Sequence, residues 1–445
     1  MIMADTENEE DVPGYTLAEA IAEAQRCLKC PKPMCRTGCP IENDIPAFNR
    51  ALSSGNIGEA YAIISERSNL PAICGRVCPH ESQCEGHCIM NRAKKSPIRI
   101  GQIERFVADF ESEYQLNKIK KRLPNQVAAG KVAIVGSGPA GLSAAFEFAR
   151  ANFDVNVYEK DDEPGGVLIY GIPEFRLPKD VVHRYIHRLT DMGVKFTTNT
   201  YIGKDITIDE IFDEGYDAVF IGSGAIAPKG LGLPGEDLNG MVDALKLLHD
   251  VRDFNKGKLP RDAIEIKEGD EVVVIGAGNV AMDACRTSVR MGAKHTYVCY
   301  RRTIEFMKAA KAEYDEAVKD GVIFKWEHVP VSFEGKGGKV TGFRTKTPDG
   351  EIVMPVNKII IAIGSEPDTV TTTGSSDIQL EDGYIVTDAG AEAKYYGMTG
   401  KKGVFAAGDI VHRPKTVVMA MREGKKVALS MIEYIKSSKP APETT

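Results

Sequence analysis

Eight of the ten cysteines lie between Cys27 and Cys88, and only Cys285 and Cys299 follow. They run Cys27-x2-Cys30-x4-Cys35-x3-Cys39, then Cys74-x3-Cys78 and Cys84-x3-Cys88, with proline after Cys39 and Cys78. In a reducing compartment such clustering reads as metal or iron–sulfur ligation rather than disulfides. Structural zinc favours two Cys-x2-Cys pairs, or a cysteine pair with a histidine pair. Soft thiolates at these mixed spacings suit two [4Fe-4S] clusters better. Spacing alone leaves two divisions open: four and four in sequence order, or two interleaved groups with one non-cysteine ligand.

The second chemistry lies in Lys131–Lys160. An apolar β-branched run, Lys131–Val135, leads into Gly136-x-Gly138-x-x-Gly141, a helical pattern, and a second strand, Asp154–Tyr158, that ends on Glu159. The first glycine permits a tight turn, the second lets backbone approach a pyrophosphate, and the third lets helix pack on strand. The helix N-terminus offers N–H groups to phosphate, and Glu159 is placed to accept from a ribose. The loop Gly165–Lys179, with paired glycines, prolines and aromatics, suits a segment lying against a flat ring rather than a packed helix. No cysteine follows the motif there, which removes the disulfide-reductase option.

Glu271–Arg302 repeats the unit, with strand Val272–Ile275, Gly276-x-Gly278-x-x-Ala281, a helix and strand His295–Tyr300. It closes on Arg301 and Arg302 instead of an acid. An acid suits a free 2′-hydroxyl and arginine a 2′-phosphate, so this site should prefer NADP(H). Cys285 and Cys299 fall inside the helix and strand as buried thiols. Strands are also expected at Phe196–Ile202 and Asp217–Gly222. The runs Ala218–Gly224 and Lys358–Gly364 mirror each other as crossings between two nucleotide domains. Gly403–Ile410 ends at Gly408-Asp409, where Asp409 could bind a ribityl hydroxyl or simply cap a turn. The helix Thr416–Tyr434 can aim its positive end at a flavin.

The elements that hold the cysteines should be helical: Thr16–Arg26, a helix capped by Asp44 with Pro46 near its start, Ile57–Glu66, and Arg99–Tyr114. On the last, Glu104 lies at the edge of an apolar face, where a solvated carboxylate is the ordinary reading. A length of 445 residues implies two or three domains. A net charge of -7 argues against nucleic acid or an anionic membrane surface as the main partner. The acidic start and the want of a long apolar run point to a soluble, cytoplasmic protein.

Together the stretches RCLKC, GCP, GRVCP, CEGHC, IGQIERF, VGSGPAGL, GGVLIYGIPEFRLPK, GAGNVAMD, CYRRT, AIGSEPD, GVFAAGDIV and TVVMAM carry a family. The chain resembles the glutamate synthase small (β) subunit family over nearly its whole length. That family includes the N-terminal half of dihydropyrimidine dehydrogenase and the large subunit of NADH-dependent ferredoxin:NADP oxidoreductase. The resemblance implies an α/β fold of two Rossmann-like dinucleotide-binding domains, one inserted in the other. An α-helical domain with two [4Fe-4S] clusters precedes them. Residues 1–125 would be the iron–sulfur domain, 126–225 and 366–445 the FAD-binding domain, and 226–365 the NADP(H)-binding domain.

It also implies interleaved clusters, with Cys27, Cys30, Cys35 and Cys88 on one, and Cys39, Cys78, Cys84 and Glu104 on the other. Cys74 is left without an iron. The expected FAD set is Gly136, Gly138, Pro139, Ala140, Gly141, Glu159, Lys160, Gly166, Leu168, Arg176, Ile202, Gly408, Asp409, Thr416 and Val417. The NADP(H) set is Gly276, Gly278, Asn279, Val280, Arg301, Arg302 and Gly364.

Two departures stand out. Phe306 and Lys308 replace family residues after the second nucleotide strand, and Arg413, Pro414 and Lys415 replace small residues before the last helix. The added charge of these last would favour an anionic reduced flavin.

The implied activity is hydride exchange between NADP(H) and FAD, and single-electron exchange through the clusters with a partner subunit. Hydride transfer needs no acid–base side chain, so none is assigned. The partner would be a glutamate synthase large subunit. Alternatively, iron–sulfur or flavin subunits would make this chain the NADP(H) arm of an electron-bifurcating complex. A redox-inactive zinc scaffold is the reading from another class.

Overall fold

The structure is a computed structural model and describes residues 10–114, 127–390, 392–412 and 416–438. Arg413, Pro414 and Lys415 lie outside the described residues. The chain forms two compact units. The larger combines Val12–Ile169, Arg176–Ala225 and Pro367–Thr445; the smaller combines the lead-in ending at Asp11, Tyr170–Phe175 and Ile226–Glu366. The helical cysteine region and the first glycine motif therefore share one unit.

The helical region of the larger unit starts at Leu17–Gln25, where Thr16 and Glu19 form a reciprocal capping box. Asp44 caps Ile45–Ser53, accepting from the Ala47 N–H at 3.3 Å, and Pro46 occupies the first turn. Asn56 caps Ile57–Arg67. Pro71–Val77 crosses Ile100–Tyr114 at Gly75, where a Cβ would stand 2.6 Å from the Arg105 nitrogen. That near-contact of backbones brings Cys74 and Cys78 beside Glu104.

A five-stranded parallel sheet follows, in the order Val404–Ala406, Ala218–Ile221, Lys131–Val135, Asp154–Tyr158 and Lys195–Thr197. Its central strands are buried runs covered by helices, as parallel sheets require. The helix Pro139–Arg150 packs against the closing helix Val417–Ser438. A Cβ on Gly424 would lie 2.3 Å from the Ala140 carbonyl oxygen, and the Ser143 hydroxyl donates to the Met421 carbonyl at 2.8 Å.

Two expectations need adjustment here. The strand expected over Phe196–Ile202 ends at Thr197, because Asn199 takes a left-handed conformation (φ 53°) and its N–H turns to the Asp161 carbonyl. Within the loop expected over Gly165–Lys179, Val167–Tyr170 winds into one helical turn.

The smaller unit holds a second parallel sheet, ordered Met241–Asp243, Lys358–Ile361, Glu271–Ile275, His295–Tyr300 and Ile323–Trp326. Beside it lies an antiparallel sheet of Val329–Lys336, Lys339–Thr347 and Gly350–Met354, which sequence reading did not anticipate. Where the chain enters and leaves this unit, Ala227–Pro228 pairs antiparallel with Ser365–Glu366. The helix Asn279–Arg290 carries Arg286, whose side chain is 1 % exposed. Its guanidinium bonds both oxygens of Asp11 (2.6 and 2.9 Å) and one of Asp320 (2.7 Å), and lies over the Phe175 ring. Among the described residues, no helix is long and apolar enough to cross a membrane.

Candidate redox centres

Cys27, Cys30, Cys35 and Cys88 line one apolar cavity with Leu28, Met34 and Ile98. Gly38 explains part of the convergence: a Cβ there would strike the His87 ring at 2.6 Å, so the Met34–Gly38 turn lies directly on the segment entering Cys88. Burial pushes the Cys27 thiol up and the Cys35 thiol up to about 12. Neutral thiols in such a pocket ionise only when a cation receives them.

The second gathering comprises Cys39, Cys78, Cys84 and Glu104. Burial raises the Cys39 thiol to about 11, with the Glu104 charge adding to it, and also raises Cys84. Cys78 is raised first by its hydrogen bond with Cys74 and then by burial. Glu104 is 9 % exposed, burial pushes its carboxyl up to about 8, and its Oε1 has no hydrogen-bond partner among the described residues. A buried carboxylate oxygen without a donor is costly unless it meets a cation. Both donor sets therefore fit [4Fe-4S] clusters. Among the described residues no three His, Cys, Asp or Glu converge as ligands of a single metal ion. Cubane ligands differ in kind, since each meets its own iron.

In the first glycine turn, Gly136 has φ 90° and Gly141 sits where a Cβ would be 1.9 Å from the Gly136 oxygen. Gly138 has open space instead, except where Gly166 approaches: a Cβ on Gly166 would lie 2.9 Å from the Gly138 Cα. Buried Glu159 accepts from the Ser137 and Asp161 N–H groups, each at 3.1 Å, and from the Ser137 hydroxyl. That hydroxyl in turn accepts from the Gly165 N–H at 2.7 Å. Ser137 thus ties the glycine turn, the acid and the Gly165–Gly166 loop together, a role that sequence reading missed. A serine inside G-x-G-x-x-G carries no signal of its own.

Lys160 pairs with Asp161 at 2.7 Å, and the buried Leu168 carbonyl accepts from Lys179 at 3.0 Å. Pro139 and Ala140 open the motif helix, Ile202 is buried, and Arg176 and Asp409 are half-buried. Gly408 (φ 82°) brings Asp409 to the end of its strand beside Ala140. Thr416, just before the helix beginning at Val417, holds a buried hydroxyl with no hydrogen-bond partner among the described residues, as does Ser223. The unspent Ser223 hydroxyl beside the Gly136 turn and the Thr416 hydroxyl at the start of the closing helix fit the hydroxyls and ring of FAD.

In the second turn, a Cβ on Gly276 (φ 136°) would lie 2.3 Å from the Ala362 oxygen, while Gly278 and Gly364 face open space. Asn279 and Val280 begin the helix, and the Asn279 side chain accepts from the Ala310 N–H at 3.3 Å. The Lys308 and Ala309 N–H groups both reach the Ala277 carbonyl at 3.0 Å, so the divergent segment lies on the turn. Arg301 and Arg302 are exposed, with Arg302 over the Phe306 ring. Exposed guanidiniums at this strand end fit a 2′-phosphate. Cys285 and Cys299 are buried thiols, as expected.

Residues 4–116 match the family model of dihydropyrimidine dehydrogenase domain II, 4Fe-4S cluster, and residues 130–424 match that of pyridine nucleotide-disulphide oxidoreductase. With the two glycine turns and the gathered thiols, these define an iron–sulfur flavoprotein oxidoreductase that uses a pyridine nucleotide. The small chain of glutamate synthase [NADPH] from Escherichia coli is 35% identical over 447 residues, covering 95% of this chain and 93% of that one. The chain belongs to the glutamate synthase small-chain family. The subunit PreT of the NAD-dependent dihydropyrimidine dehydrogenase of Escherichia coli is 33% identical, covering 97% of this chain and 98% of its own. In fold, the nucleotide-binding part is similar to Lactococcus lactis thioredoxin reductase, with TM-score 0.53 at 22% identity, covering 69% of this chain and 99% of that one.

Proposed function

We propose that this chain is the NADP(H)-linked subunit of a hetero-oligomeric redox enzyme. Its relatives include a small chain of one enzyme and a subunit of another. FAD, when bound, would exchange hydride with NADP(H) and single electrons with two [4Fe-4S] clusters, a conversion the nicotinamide cannot make alone. One observation carries this reading: two like glycine turns close on opposite charge, buried Glu159 in one and exposed Arg301–Arg302 in the other. Glu159 and Ser137 would hold the ribose side of FAD, Thr416 and Asp409 its ring and ribityl side, and the arginine pair the 2′-phosphate of NADP(H). Cys27, Cys30, Cys35 and Cys88 would hold one cluster, and Cys39, Cys78, Cys84 and Glu104 the other. The FAD-binding residues fall in 126–225 and 366–445, the NADP(H)-binding residues in 226–365, and the cluster ligands in 1–125.

Anaerobic affinity purification with mass identification of the co-eluting chains tests the assembly. A large amidotransferase-type chain would make the enzyme a glutamate synthase. Smaller subunits with further iron–sulfur clusters or FMN would make it an electron-bifurcating transhydrogenase. Purification without any redox partner would remove the subunit reading. Replacing Arg301 and Arg302 by alanine should raise KM for NADPH by about tenfold or more and change KM for NADH by less than about threefold. Equal effects on both coenzymes would remove the 2′-phosphate role.

A further inference from the structure

The second glycine unit ends on two arginines that are held differently. Arg301 and Arg302 are both exposed, and neither makes an ion pair or a side-chain hydrogen bond among the described residues. The Arg302 guanidinium lies over the Phe306 ring, 5.5 Å from its centroid, whereas among the described residues no ring lies under Arg301. Phe306 is 57% exposed, so burial does not account for an aromatic side chain there. Its backbone is anchored on two sides. Ile304–Phe306 forms a single 3-10 turn whose last carbonyl accepts from the Tyr300 hydroxyl at 3.0 Å. Tyr300 pairs in register with Trp326 on the neighbouring strand, and their rings meet edge to face at 6.2 Å. Beyond that strand the Glu327 N–H donates to the Arg302 carbonyl at 3.2 Å and the His328 N–H to the Tyr300 carbonyl at 3.0 Å. On the other side, the Lys308 and Ala309 N–H groups tie the segment to Ala277 inside the glycine turn.

We propose that Phe306 is a positioning residue for Arg302, and that through it the 3-10 turn sets the preference for a 2′-phosphorylated nicotinamide coenzyme. This role rests on the proposed function, in which the arginine pair meets the 2′-phosphate of NADP(H). The negative face of the ring attracts the guanidinium without engaging its N–H groups. The planar fork is thereby ordered in part before the coenzyme arrives, and its donors stay available to phosphate oxygens. Arg301 has no such support and must be ordered on binding. The two arginines are therefore unequal: Arg302 carries more of the 2′-phosphate affinity, and part of its share is lent by a side chain that makes no contact with the phosphate.

The test is calorimetric binding of NADP+ and NAD+ to the oxidised holoenzyme, which reads coenzyme affinity without turnover. Phe306→Leu should weaken NADP+ binding about twofold to fivefold and leave NAD+ binding within about 1.5-fold of the wild type. Phe306→Trp, which keeps a ring face, should retain wild-type affinity for both. Arg302→Ala should cost more NADP+ affinity than Arg301→Ala, and Phe306→Leu should cost nothing further in the Arg302→Ala background. Equal losses of NADP+ and NAD+ in Phe306→Leu would overturn the positioning role, because the ring would then meet the adenine or only shape the loop. Unchanged NADP+ affinity in Phe306→Leu would overturn it too, as would losses that add to those of Arg302→Ala. In each of these cases the wild type still prefers NADP+, and the proposed function stands. A wild type that binds both coenzymes alike would instead overturn the 2′-phosphate role of the arginine pair, and the positioning role with it.

Discussion

Cys78→Ser should lose about half of the iron from anaerobically purified protein, while Cys74→Ser retains all of it. The two thiols are four residues apart on adjoining turns and share a hydrogen bond, so the contrast is demanding. In the proposed assignment Cys78 would share a cluster with Cys39, Cys84 and Glu104, so its removal would leave one iron without a protein ligand. Cys74 is 1 % exposed and packs in the crossing between Pro71–Val77 and Ile100–Tyr114, where serine is nearly isosteric. Its cost should therefore be local stability, about 1–2 kcal/mol, rather than iron. The check is an iron count alongside electron paramagnetic resonance of the dithionite-reduced protein. Iron loss in Cys74→Ser with retention in Cys78→Ser would reverse the ligand assignment.

This contrast also marks where sequence reading stops. Asp154–Tyr158 and His295–Tyr300 are strands at the expected residues because β-branched runs between glycine turns have few alternatives. Burial of Glu104 has no such local signature. A glutamate on the rim of an apolar helical face reads as solvated, and only the long-range crossing at Gly75 removes it from water. The glutamate's proposed role came from family resemblance, and the donorless oxygen now gives it a physical reason. The antiparallel sheet was illegible for the opposite cause: Val329–Lys336 contains Pro330 and Gly335, its ladder shifts register twice, and its alternation is correspondingly weak. The strand extended too far at Phe196–Ile202 failed on Asn199, whose left-handed turn is only one of several conformations open to asparagine.

The second large effect is expected at Arg286. Arg286→Met should destabilise the smaller unit by about 3 kcal/mol or more, seen as a lower denaturant midpoint or melting temperature. Arg286 and Arg290 together balance Asp11 and Asp320, and Arg290 keeps a bond of 2.6 Å to Asp320 and a longer contact of 3.6 Å to Asp11. Methionine would fill the space over Phe175 but leave two carboxylates to one half-buried arginine. The unpaired charge, rather than lost packing, should dominate. Replacing Asp320 by asparagine, which keeps an acceptor for both arginines, should cost less. An Arg286→Met protein that unfolds at the wild-type midpoint would show that the pair is solvated and contributes little.

The same clamp bears on protein engineering. The smaller unit is assembled from three separated stretches, and Asp11 and Phe175 meet Arg286 from outside Ile226–Glu366. A coenzyme-swap chimaera cut at the neat antiparallel pair of Ala227–Pro228 and Ser365–Glu366 would import a foreign helix yet keep the host's aspartate and phenylalanine. Successful cassettes should therefore be chosen by whether the donor also has arginine at position 286, or be transplanted as all three pieces together.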